Sequence, residues 1–577
     1  MGKWAKESFQ GTIGATVEDS IPFWPKPEQP KEGSPNVVII LLDDLGFAQL
    51  GCYGSDIATP NIDALASGGL RYNNFHTTAV CSPTRAALLS GRNPHAAGVS
   101  FVSGFDIGYP HTRGKVSKET ALLSEILVDN GYNTLGIGKW HLTRATPIAD
   151  PAEHLKWINH QAYFDRDFGD RSTYPAARGF ETHFGLVWGV SSYFDPFSLV
   201  EGFEPVRTVP KDFYLTDALS DRAVRDIESF ARQERPFFMY LAYTAPHWPL
   251  HAPEQAIAKY RGRYDGGWEK LQEERYARLV KLGLIDPATT PKAALTGDWA
   301  VNPEKPWDQL SQAERAQAAA KMSVHAAMID VMDQGIGRVI DALKRTGQYE
   351  NTVIVFLADN GASPETMTGS RGYQPGYDRQ SETRDGRKIQ YGAEQPTLGS
   401  DTSMAGIGAF WANAANTPWR YWKAEAYDGG VHTPFIVSWP KGLKLEPGTR
   451  VDSLGHIMDI APTFYELAGV KPRTEGQPPI DGVSLVPALS GKKMSRGKPL
   501  FFEHEGSRAV ILDDWKLVAR APGPQSKVYA PWSLYHLAKD RSETRDLIKA
   551  EPKRAAAMAK LWNEWSASVQ ARQRSEP

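Results

Sequence analysis

Apolar runs of strand length alternate with helical stretches along most of the chain. The clearest runs are NVVIILL at 36–42, NTLGIG at 133–138, PFFMYLAY at 236–243, TVIVFLA at 352–358 and PFIVSW at 434–439. Helical candidates lie between them, including 117–131 and 326–347, and each ends in a glycine that can cap a helix. Strands of such continuous apolarity are buried on both faces, so the pattern predicts an α/β fold with a large, mostly parallel sheet flanked by helices.

Several regions interrupt this alternation. Residues 248–322 are charged and aromatic, which is typical of an insertion, and residues 362–410 form a long polar stretch typical of a site rim or a disordered loop. After about residue 494 the pattern changes to short strands separated by turn residues, which predicts an antiparallel meander with a final helix at 551–570. The predicted units are an N-terminal arm (1–35), a catalytic domain (36–493) and a smaller C-terminal α+β subdomain with an antiparallel sheet (494–577).

Composition and charge exclude several classes of protein. Sixty-five Lys and Arg residues oppose 67 Asp and Glu, a formal net charge of −2, so nothing indicates a nucleic-acid or membrane-surface partner. The apolar runs are far shorter than the roughly 20 residues of a membrane span. With only Cys52 and Cys81 the chain has no disulfide framework. The N-terminus lacks the apolar segment of a secretory signal, so we expect a cytoplasmic protein.

The run CSPTRAALLSGR, residues 81–92, places a cysteine at the predicted start of a helix. Ser82 and Pro83 are predicted as the N-cap and the first helical residue. Free N–H groups at a helix N-terminus favour an anion, and Arg85 adds a positive charge. A buried structural cysteine is the alternative. A cysteine-dependent phosphatase loop is excluded, because it needs an arginine six positions after its cysteine, where Ala87 stands.

Polar side chains follow or precede each of the predicted strands. In open α/β sheets ligands bind beyond the carboxyl ends of the strands, so these groups are expected at one edge of the sheet. Singly, each has another explanation, since an aspartate after a strand is often a helix N-cap and a lone lysine or histidine is often structural. Together with Cys81 they indicate one site. In chain order they are Asp43, Asp44, Lys139, His141, His247, Asp359, Asn360 and Lys423.

Four of these residues offer only oxygen ligands to a metal ion, namely Asp43, Asp44, Asp359 and Asn360. Hard oxygen atoms suit Ca²⁺ or Mg²⁺, whereas Zn²⁺ prefers cysteine and histidine. Three carboxylates and an amide around a wide, irregular site favour one Ca²⁺ per chain.

These motifs resemble those of the sulfatase family. Residues 81–92 resemble its signature, cysteine-any-proline-Ser/Thr-arginine followed by leucine and glycine. GYNTLGIGKWHL at 131–142 resembles its second signature, and DDLGFAQLGCYG at 43–54 its metal motif. PHWPLH and NTPWRYWK are most similar to the bacterial arylsulfatases. The resemblance extends over most of the chain. It implies the alkaline phosphatase-like fold, a calcium ion, and oxidation of Cys81 to formylglycine by a formylglycine-generating enzyme.

The resemblance also implies a reaction, the hydrolysis of small sulfate monoesters, expected to be aryl sulfates, to an alcohol or phenol and sulfate. Formylglycine at Cys81 would be hydrated to a geminal diol, with one oxygen among the calcium ligands and Asp359 as its base. His247 would assist the leaving oxygen, and His141 would take the proton that allows sulfate to leave. The cations expected to neutralise the sulfate oxygens are Arg85, Lys139 and Lys423.

Two alternatives stay open. A phosphonate monoester or phosphodiester hydrolase of the same superfamily would act on an anion of similar shape. A non-catalytic calcium-binding homologue would keep the fold without the chemistry, although the complete set of expected residues argues against such a loss.

Overall fold

The computed structural model of the protein describes residues 9–24, 29–104, 106–161, 165–233, 235–367, 379–392, 395–492, 494–521 and 529–570. Parts of the predicted arm and of the polar stretch 362–410 lie outside these residues. The strands are β1 (Asn36–Leu42), β2 (Leu70–Tyr72), β3 (Phe75–His76), β4 (Asn133–Gly138), β5 (Thr182–Leu186), β6 (Leu199–Glu201), β7 (Glu204–Pro205), β8 (Phe237–Ala242), β9 (Thr352–Ala358), β10 (Phe435–Ser438), β11 (Arg450–Val451), β12 (Gly455–His456), β13 (Leu500–His504), β14 (Ser507–Leu512), β15 (Trp515–Ala519) and β16 (Ser533–His536).

A ten-stranded mixed sheet forms the centre of the molecule, in the order β11-β2-β10-β9-β1-β8-β4-β5-β6-β7. Its middle strands β9, β1, β8, β4 and β5 are parallel. All five strands predicted from apolar runs are present, and the side chains of β1 and β9 are buried along their whole length. Burial on both faces explains why these runs are continuously apolar. The predicted α/β fold class is confirmed.

The direction of β10 is a feature that its sequence does not reveal. β10 runs antiparallel to β9, with Phe435 opposite Leu357 and Ser438 opposite Ile354. The beginning of β10 therefore lies at the same edge of the sheet as the carboxyl ends of β1 and β9. For this reason a residue that precedes β10, such as Lys423, can lie beside residues that follow the other strands.

Helices cover the sheet, and two of them differ from the predicted bounds. The helix predicted at 117–131 begins only at Leu123, because residues 117–120 form a turn in which the Thr120 N–H donates to the Ser117 carbonyl. The helices are α1 (Pro60–Gly68), α2 (Cys81–Ser90), α3 (Pro94–Ala97), α4 (Leu123–Asp129), α5 (Pro151–Ile158), α6 (Leu215–Phe230), α7 (Glu254–Ala258), α8 (Gly267–Lys281), α9 (Gln312–Arg345), α10 (Ala409–Ala415), α11 (Asp428–Val431), α12 (Ile460–Ala468), α13 (Val486–Leu489) and α14 (Pro552–Gln570).

The second correction concerns α9, which begins inside the stretch predicted as an insertion. Ser311 and Glu314 form a capping box at its start: the Ser311 hydroxyl accepts from the Glu314 N–H at 3.2 Å, and the Glu314 carboxylate accepts from the Ser311 N–H at 2.7 Å. The S-x-x-E pattern that marks such a start is present in the sequence. The predicted insertion 248–322 therefore ends at the cap, and the remaining residues belong to a helix that packs on the sheet.

The C-terminal region forms a separate four-stranded antiparallel sheet, in the order β13-β14-β15-β16. The predicted meander is confirmed, and α14 packs on it through Met558 and Trp562. Among the described residues no helix is both long and apolar enough to cross a membrane.

Candidate active site

Cys81 is the first residue of α2, and the whole helix is buried. The N-cap is Val80, with extended backbone and no capping side chain, so the prediction of Ser82 as N-cap is wrong. The Ser82 hydroxyl instead accepts a hydrogen bond from the Ser103 N–H at 2.9 Å, because that buried donor needs a partner. Cys81 is only 2% exposed, and its Sγ lies 3.2 Å from Nδ1 of His141.

The carboxylates predicted from the strand ends lie together. Asp43 and Asp44 follow β1, while Asp359 and Asn360 follow β9, its hydrogen-bonded neighbour. The Asp44 N–H donates to Asp359 Oδ1 at 3.2 Å, and the Asn360 amide donates to Asp44 Oδ1 at 2.6 Å. Asp44 has a φ of 63°, a left-handed conformation that few non-glycine residues adopt. The parallel register of two adjacent strands thus places four oxygen-bearing side chains at one point.

Each of the three carboxylates has its own cationic partner. Lys139 Nζ lies 2.6 Å from Asp43 Oδ2, Lys423 Nζ lies 2.9 Å from Asp44 Oδ2, and an Arg85 nitrogen lies 2.7 Å from Asp359 Oδ2. The three negative and three positive formal charges cancel, which is how a protein can bury so many charged groups together. Burial nevertheless raises the pKa of Asp43 to about 8 although Lys139 opposes the shift. A further positive charge at this point would therefore stabilise the ionised form of these carboxylates.

Arg85 is fully engaged with protein groups. Its Nη1 donates to the Lys139 carbonyl at 2.7 Å, and its other donors bind Asp359. It is completely buried and does not line the cavity described below. Its contacts position Asp359 and the segment after β4. The expectation that the charge of Arg85 helps to neutralise sulfate oxygens stays a prediction.

The oxygen atoms at this point fit a calcium ion. Asp43 Oδ1 and Asn360 Oδ1 are buried and have no hydrogen-bond donor, which is rare for buried oxygens and marks a position for a ligand. Ligand atoms of Asp43, Asp359 and Cys81 lie within 4.8 Å of one another. A set composed mainly of carboxylate and amide oxygens is the chemistry that Ca²⁺ binds.

Two histidines flank Cys81 and the carboxylates. His141 has a φ of 55°, and its ring packs against Gly189, where a Cβ atom would lie 2.4 Å from the imidazole. His247 Nδ1 lies 2.6 Å from the Trp248 carbonyl, so Nδ1 donates and Nε2 faces Lys423 Nζ at 3.1 Å. Burial and the neighbouring lysines, chiefly Lys139 for His141 and Lys423 for His247, hold the pKa of both rings well below the usual value. Both rings are therefore held in the neutral form.

A cavity of about 430 Å³ opens above these groups. Cys81, His141, His247 and Lys423 line its polar side. Four aromatic residues, Phe101, Trp188, Trp248 and Trp299, line the other walls together with aliphatic and charged residues. A substrate whose reacting group lies at Cys81 would therefore place the rest of the molecule between aromatic rings.

Sequence reasoning missed Glu365, which also lines this cavity. Its carboxylate accepts from Trp248 Nε1 at 2.5 Å and from the Ser363 hydroxyl at 3.0 Å, and lies 3.7 Å from Lys423 Nζ. Lys423 therefore lies between two carboxylates, those of Asp44 and Glu365. The available signal was the position of Glu365 shortly after Asn360, at the beginning of the polar stretch that was predicted as a site rim.

Two family models match the chain. The model described as Sulfatase matches residues 35–470, well over half of the chain. The model described as N-sulphoglucosamine sulphohydrolase, C-terminal, matches residues 419–571. The two matches overlap at residues 419–470, a segment that contains Lys423 and strands β10 and β11 of the large sheet.

Individual proteins are similar over most of their length. The chain is 32% identical to an uncharacterized sulfatase of Schizosaccharomyces pombe, over 93% of this chain and 94% of that protein. It is also 32% identical to an arylsulfatase of Klebsiella aerogenes, over 80% of this chain and 93% of that enzyme. The solved structure of a sulfatase from Pseudoalteromonas sp. is similar in fold, with a TM-score of 0.59 and 20% identity, over 94% of this chain and 92% of that one.

Proposed function

Because the chain belongs to the sulfatase family and is a sulfate-ester hydrolase, we propose that it acts on aryl sulfates, releasing a phenol and inorganic sulfate. The observation that supports this best is the cavity above Cys81, whose polar side bears the reactive groups and whose other walls bear three tryptophans and a phenylalanine. Flat aromatic walls bind an aromatic ring by stacking and edge-to-face contacts. The similarity to the Klebsiella aerogenes arylsulfatase agrees with this substrate class.

The family generally uses formylglycine and a metal ion, and we propose that both occur here. Cys81 would be the residue that a formylglycine-generating enzyme oxidises. The residues that would hold Ca²⁺ are Asp43, Asp44, Asp359 and Asn360, together with the modified residue 81. When bound, the ion would supply positive charge for the sulfate oxygens and lower the pKa of a hydroxyl at residue 81. Hydrated formylglycine would supply one hydroxyl for attack on sulfur and a second for the release of sulfate.

The chain's own residues then have separate tasks. Asp359 lies within reach of the side chain of residue 81 and is placed to accept the proton of the attacking hydroxyl while Arg85 holds its carboxylate in place. As the S–O bond to the leaving group breaks, the Lys423–His247 pair at the cavity wall is placed to deliver a proton to the departing oxygen. Lys139 contacts the Asp43 carboxyl and opposes the rise of its pKa that burial causes.

His141 serves the second half of the reaction in this proposal. Its Nδ1 lies 3.2 Å from Cys81 Sγ, the atom that marks the position of the formylglycine oxygen. Burial holds the pKa of this ring well below the usual value, so the ring is neutral, and Nδ1 is the atom that would take the proton of the second hydroxyl. His141 would thereby hold the proton whose removal allows sulfate to leave.

The test is turnover of matched substrates by enzyme that was produced together with the formylglycine-generating enzyme. We expect kcat/KM to be highest for 4-nitrophenyl sulfate and at least about tenfold lower for the corresponding phosphate monoester, phosphodiester and phenylphosphonate. A Cys81→Ala variant, which has no side chain to oxidise, controls for background hydrolysis. A higher kcat/KM for the phosphonate or phosphodiester would instead favour that hydrolase class. No turnover by fully converted, calcium-loaded enzyme would favour the non-catalytic alternative.

A further inference from the structure

The catalytic cavity continues into a second, outer chamber of about 760 Å³. Both spaces are bounded in part by the same residues, so a bound molecule can extend from one into the other. The residues at this boundary are Phe101, Trp299, Val301, Lys423, Ala424 and Glu505. Two of the six are aromatic, and one is a glutamate. Glu505 comes from the C-terminal subdomain, although it lines the cavity that contains Cys81.

Glu505 differs from the other glutamates of the outer chamber. Glu425 is paired with Arg520 at 3.1 Å, and Glu503 is hydrogen-bonded to His95 at 2.9 Å. Within the described residues, the ion-pair partner of Glu505 is His504, at 3.6 Å, and the Glu505 side chain is 58% exposed. Glu505 therefore presents a carboxylate that a molecule in the cavity can reach.

The backbone around Glu505 does not explain a glutamate at this position. Glu505 and Gly506 form the two-residue turn between β13 and β14, next to the pair His504–Ser507. Both residues have positive φ, 47° and 87°, as in a type I′ turn, where Asn, Asp or Gly is favoured at the first position. A glutamate makes this turn less stable than an asparagine would. The turn therefore does not require the carboxylate of Glu505, and this carboxylate belongs to a residue that lines the cavity.

Building on the proposed function, we propose that Glu505 selects aryl sulfates whose leaving group has a cationic, amine-bearing substituent, and discriminates against substrates with a second anionic group. The sulfate lies at Cys81 and the ring lies between the tryptophans, so a flexible substituent reaches the boundary of the two chambers. An ammonium group there meets the Glu505 carboxylate beside the aromatic side chains of Phe101 and Trp299, and aromatic rings attract cations. A carboxylate or second sulfate meets a like charge at the same place.

The experiment compares three phenyl sulfates that differ only in the para substituent: 2-aminoethyl, propyl and 2-carboxyethyl. The methylene groups insulate the charge from the ester oxygen, so differences in kcat/KM report binding of the substituent. For the unaltered enzyme we expect kcat/KM to be about three- to twentyfold higher for the amine than for the carboxylate, the range for one attractive and one repulsive contact at a half-exposed site. This ratio should fall as ionic strength rises.

The decisive variant is Glu505→Asn, which removes the charge and suits the left-handed turn. We expect its melting temperature to be equal or higher, while the amine-to-carboxylate ratio falls to within about twofold of unity. Glu505→Lys should reverse the preference. Glu475→Gln, which removes an exposed glutamate outside both chambers, is the matched control and should keep the ratio of the unaltered enzyme.

Two failures are distinguishable. If the folded Glu505→Asn variant keeps the full amine-to-carboxylate ratio, or the unaltered enzyme shows no such preference, the role of Glu505 is wrong and the proposed function stands. If fully converted enzyme hydrolyses none of the three phenyl sulfates, the proposed function is wrong and the role of Glu505 is rejected with it.

Discussion

Two buried clusters of charged side chains in this protein have similar composition and different surroundings. The first, the site cluster, contains Asp43, Asp44, Asp359 and Asn360 with Lys139, Lys423 and Arg85. The second, the Asp428 cluster, contains His76, Asp428, His432, Lys516 and Glu543. In the Asp428 cluster, ligand atoms of His76, Asp428 and His432 lie within 4.8 Å of one another, and in the site cluster those of Asp43 and Asp359 do so together with Cys81. Ligand type and spacing alone would identify both as metal sites.

The two clusters differ in their access to a cavity. In the Asp428 cluster, Asp428 Oδ1 contacts Lys516 Nζ at 2.5 Å and His76 Nε2 at 3.3 Å, and Oδ2 contacts His432 Nδ1 at 3.0 Å. None of its members lines the catalytic cavity or the outer chamber. In the site cluster, an oxygen of Asp43 and one of Asn360 have no donor, and Lys423 lines a cavity. The Asp428 cluster also contains an oxygen without a hydrogen-bond donor, Glu543 Oε1, although Lys516 Nζ lies 2.7 Å from it. The neighbouring cavity is therefore what distinguishes the binding site from the structural ion cluster.

The Asp428 cluster has a structural task. Lys516 lies on β15 of the C-terminal sheet and also contacts Glu543 at 2.7 Å, while Asp428 follows Lys423 by five residues. Nearby, Arg520 of the C-terminal subdomain binds Glu425. The cluster thus fastens the segment that contains Lys423 to the C-terminal subdomain.

The largest expected effect distinguishes the clusters by function. Asp43→Ala removes an oxygen ligand and should lower turnover by on the order of 10³-fold or more, together with calcium affinity, because the ion and the reacting hydroxyl lose a shared support. Asp428→Asn should keep one bound calcium per chain. Metal analysis and calcium titration on both variants provide the measurement. Full activity and calcium affinity in Asp43→Ala would remove the basis for the four-ligand site.

Within the site cluster, the two histidines should differ by reaction step. His247→Ala should slow substrates with poor leaving groups most, because more charge develops on the departing oxygen, whereas His141→Ala should slow all substrates similarly by impeding sulfate release. Each loss should be about 10²–10⁴-fold. A leaving-group series, with mass spectrometry for enzyme that has gained one sulfate, measures both. A sulfated species that accumulates in the His247 variant and never in the His141 variant would reverse the assignment.

Substitutions in the Asp428 cluster should mainly lower the free energy of unfolding. Lys516→Met leaves the buried Asp428 and Glu543 without their shared ammonium and should lower the free energy of unfolding by about 3–5 kcal/mol. Adding Asp428→Asn to Lys516→Met should restore part of the lost free energy of unfolding, because the buried negative charge of Asp428 is then removed. Denaturant unfolding of the single and double variants provides the test. A Lys516→Met protein of unchanged stability would show that the cluster does not fasten the subdomain.

The smallest expected effect is a dependence of stability on pH. Burial raises the pKa of Glu543 from 4.5 to about 7 although Lys516 opposes the shift. A raised carboxyl pKa stabilises the fold below pH 4.5, and this contribution is lost as the pH rises to about 7. The Glu543→Gln side chain is uncharged at every pH. Between pH 4.5 and about 7, the free energy of unfolding of this variant relative to the unaltered protein should therefore increase by on the order of 1–3 kcal/mol. A relative stability that falls with rising pH would contradict this sign.

The sequence was sufficient for the regular parts of the structure. Continuous apolar runs predicted β1, β4 and β9 with their observed bounds, and the convergence of strand ends predicted that Asp43 and Asp359 would meet. These features depend on local pattern and on the general geometry of parallel sheets.

Other features depend on contacts between distant segments, which a local pattern does not encode. The antiparallel direction of β10 follows from pairing with β9 and β2. Glu365 belongs to the site because Trp248 and Lys423 reach it. Glu505 reaches the cavity only because the C-terminal sheet packs beside it. The cavity beside the site cluster, which separates it from the Asp428 cluster, could likewise be seen only in three dimensions.

The central claim is that the site cluster serves a formylglycine derived from Cys81. The most direct measurement is the fraction of Cys81 converted, by mass spectrometry of its peptide, together with turnover of an aryl sulfate on the same preparation. Preparations with different levels of the formylglycine-generating enzyme should give turnover proportional to the converted fraction, with none at zero conversion. Full turnover by protein in which Cys81 is entirely an unmodified thiol would contradict the account.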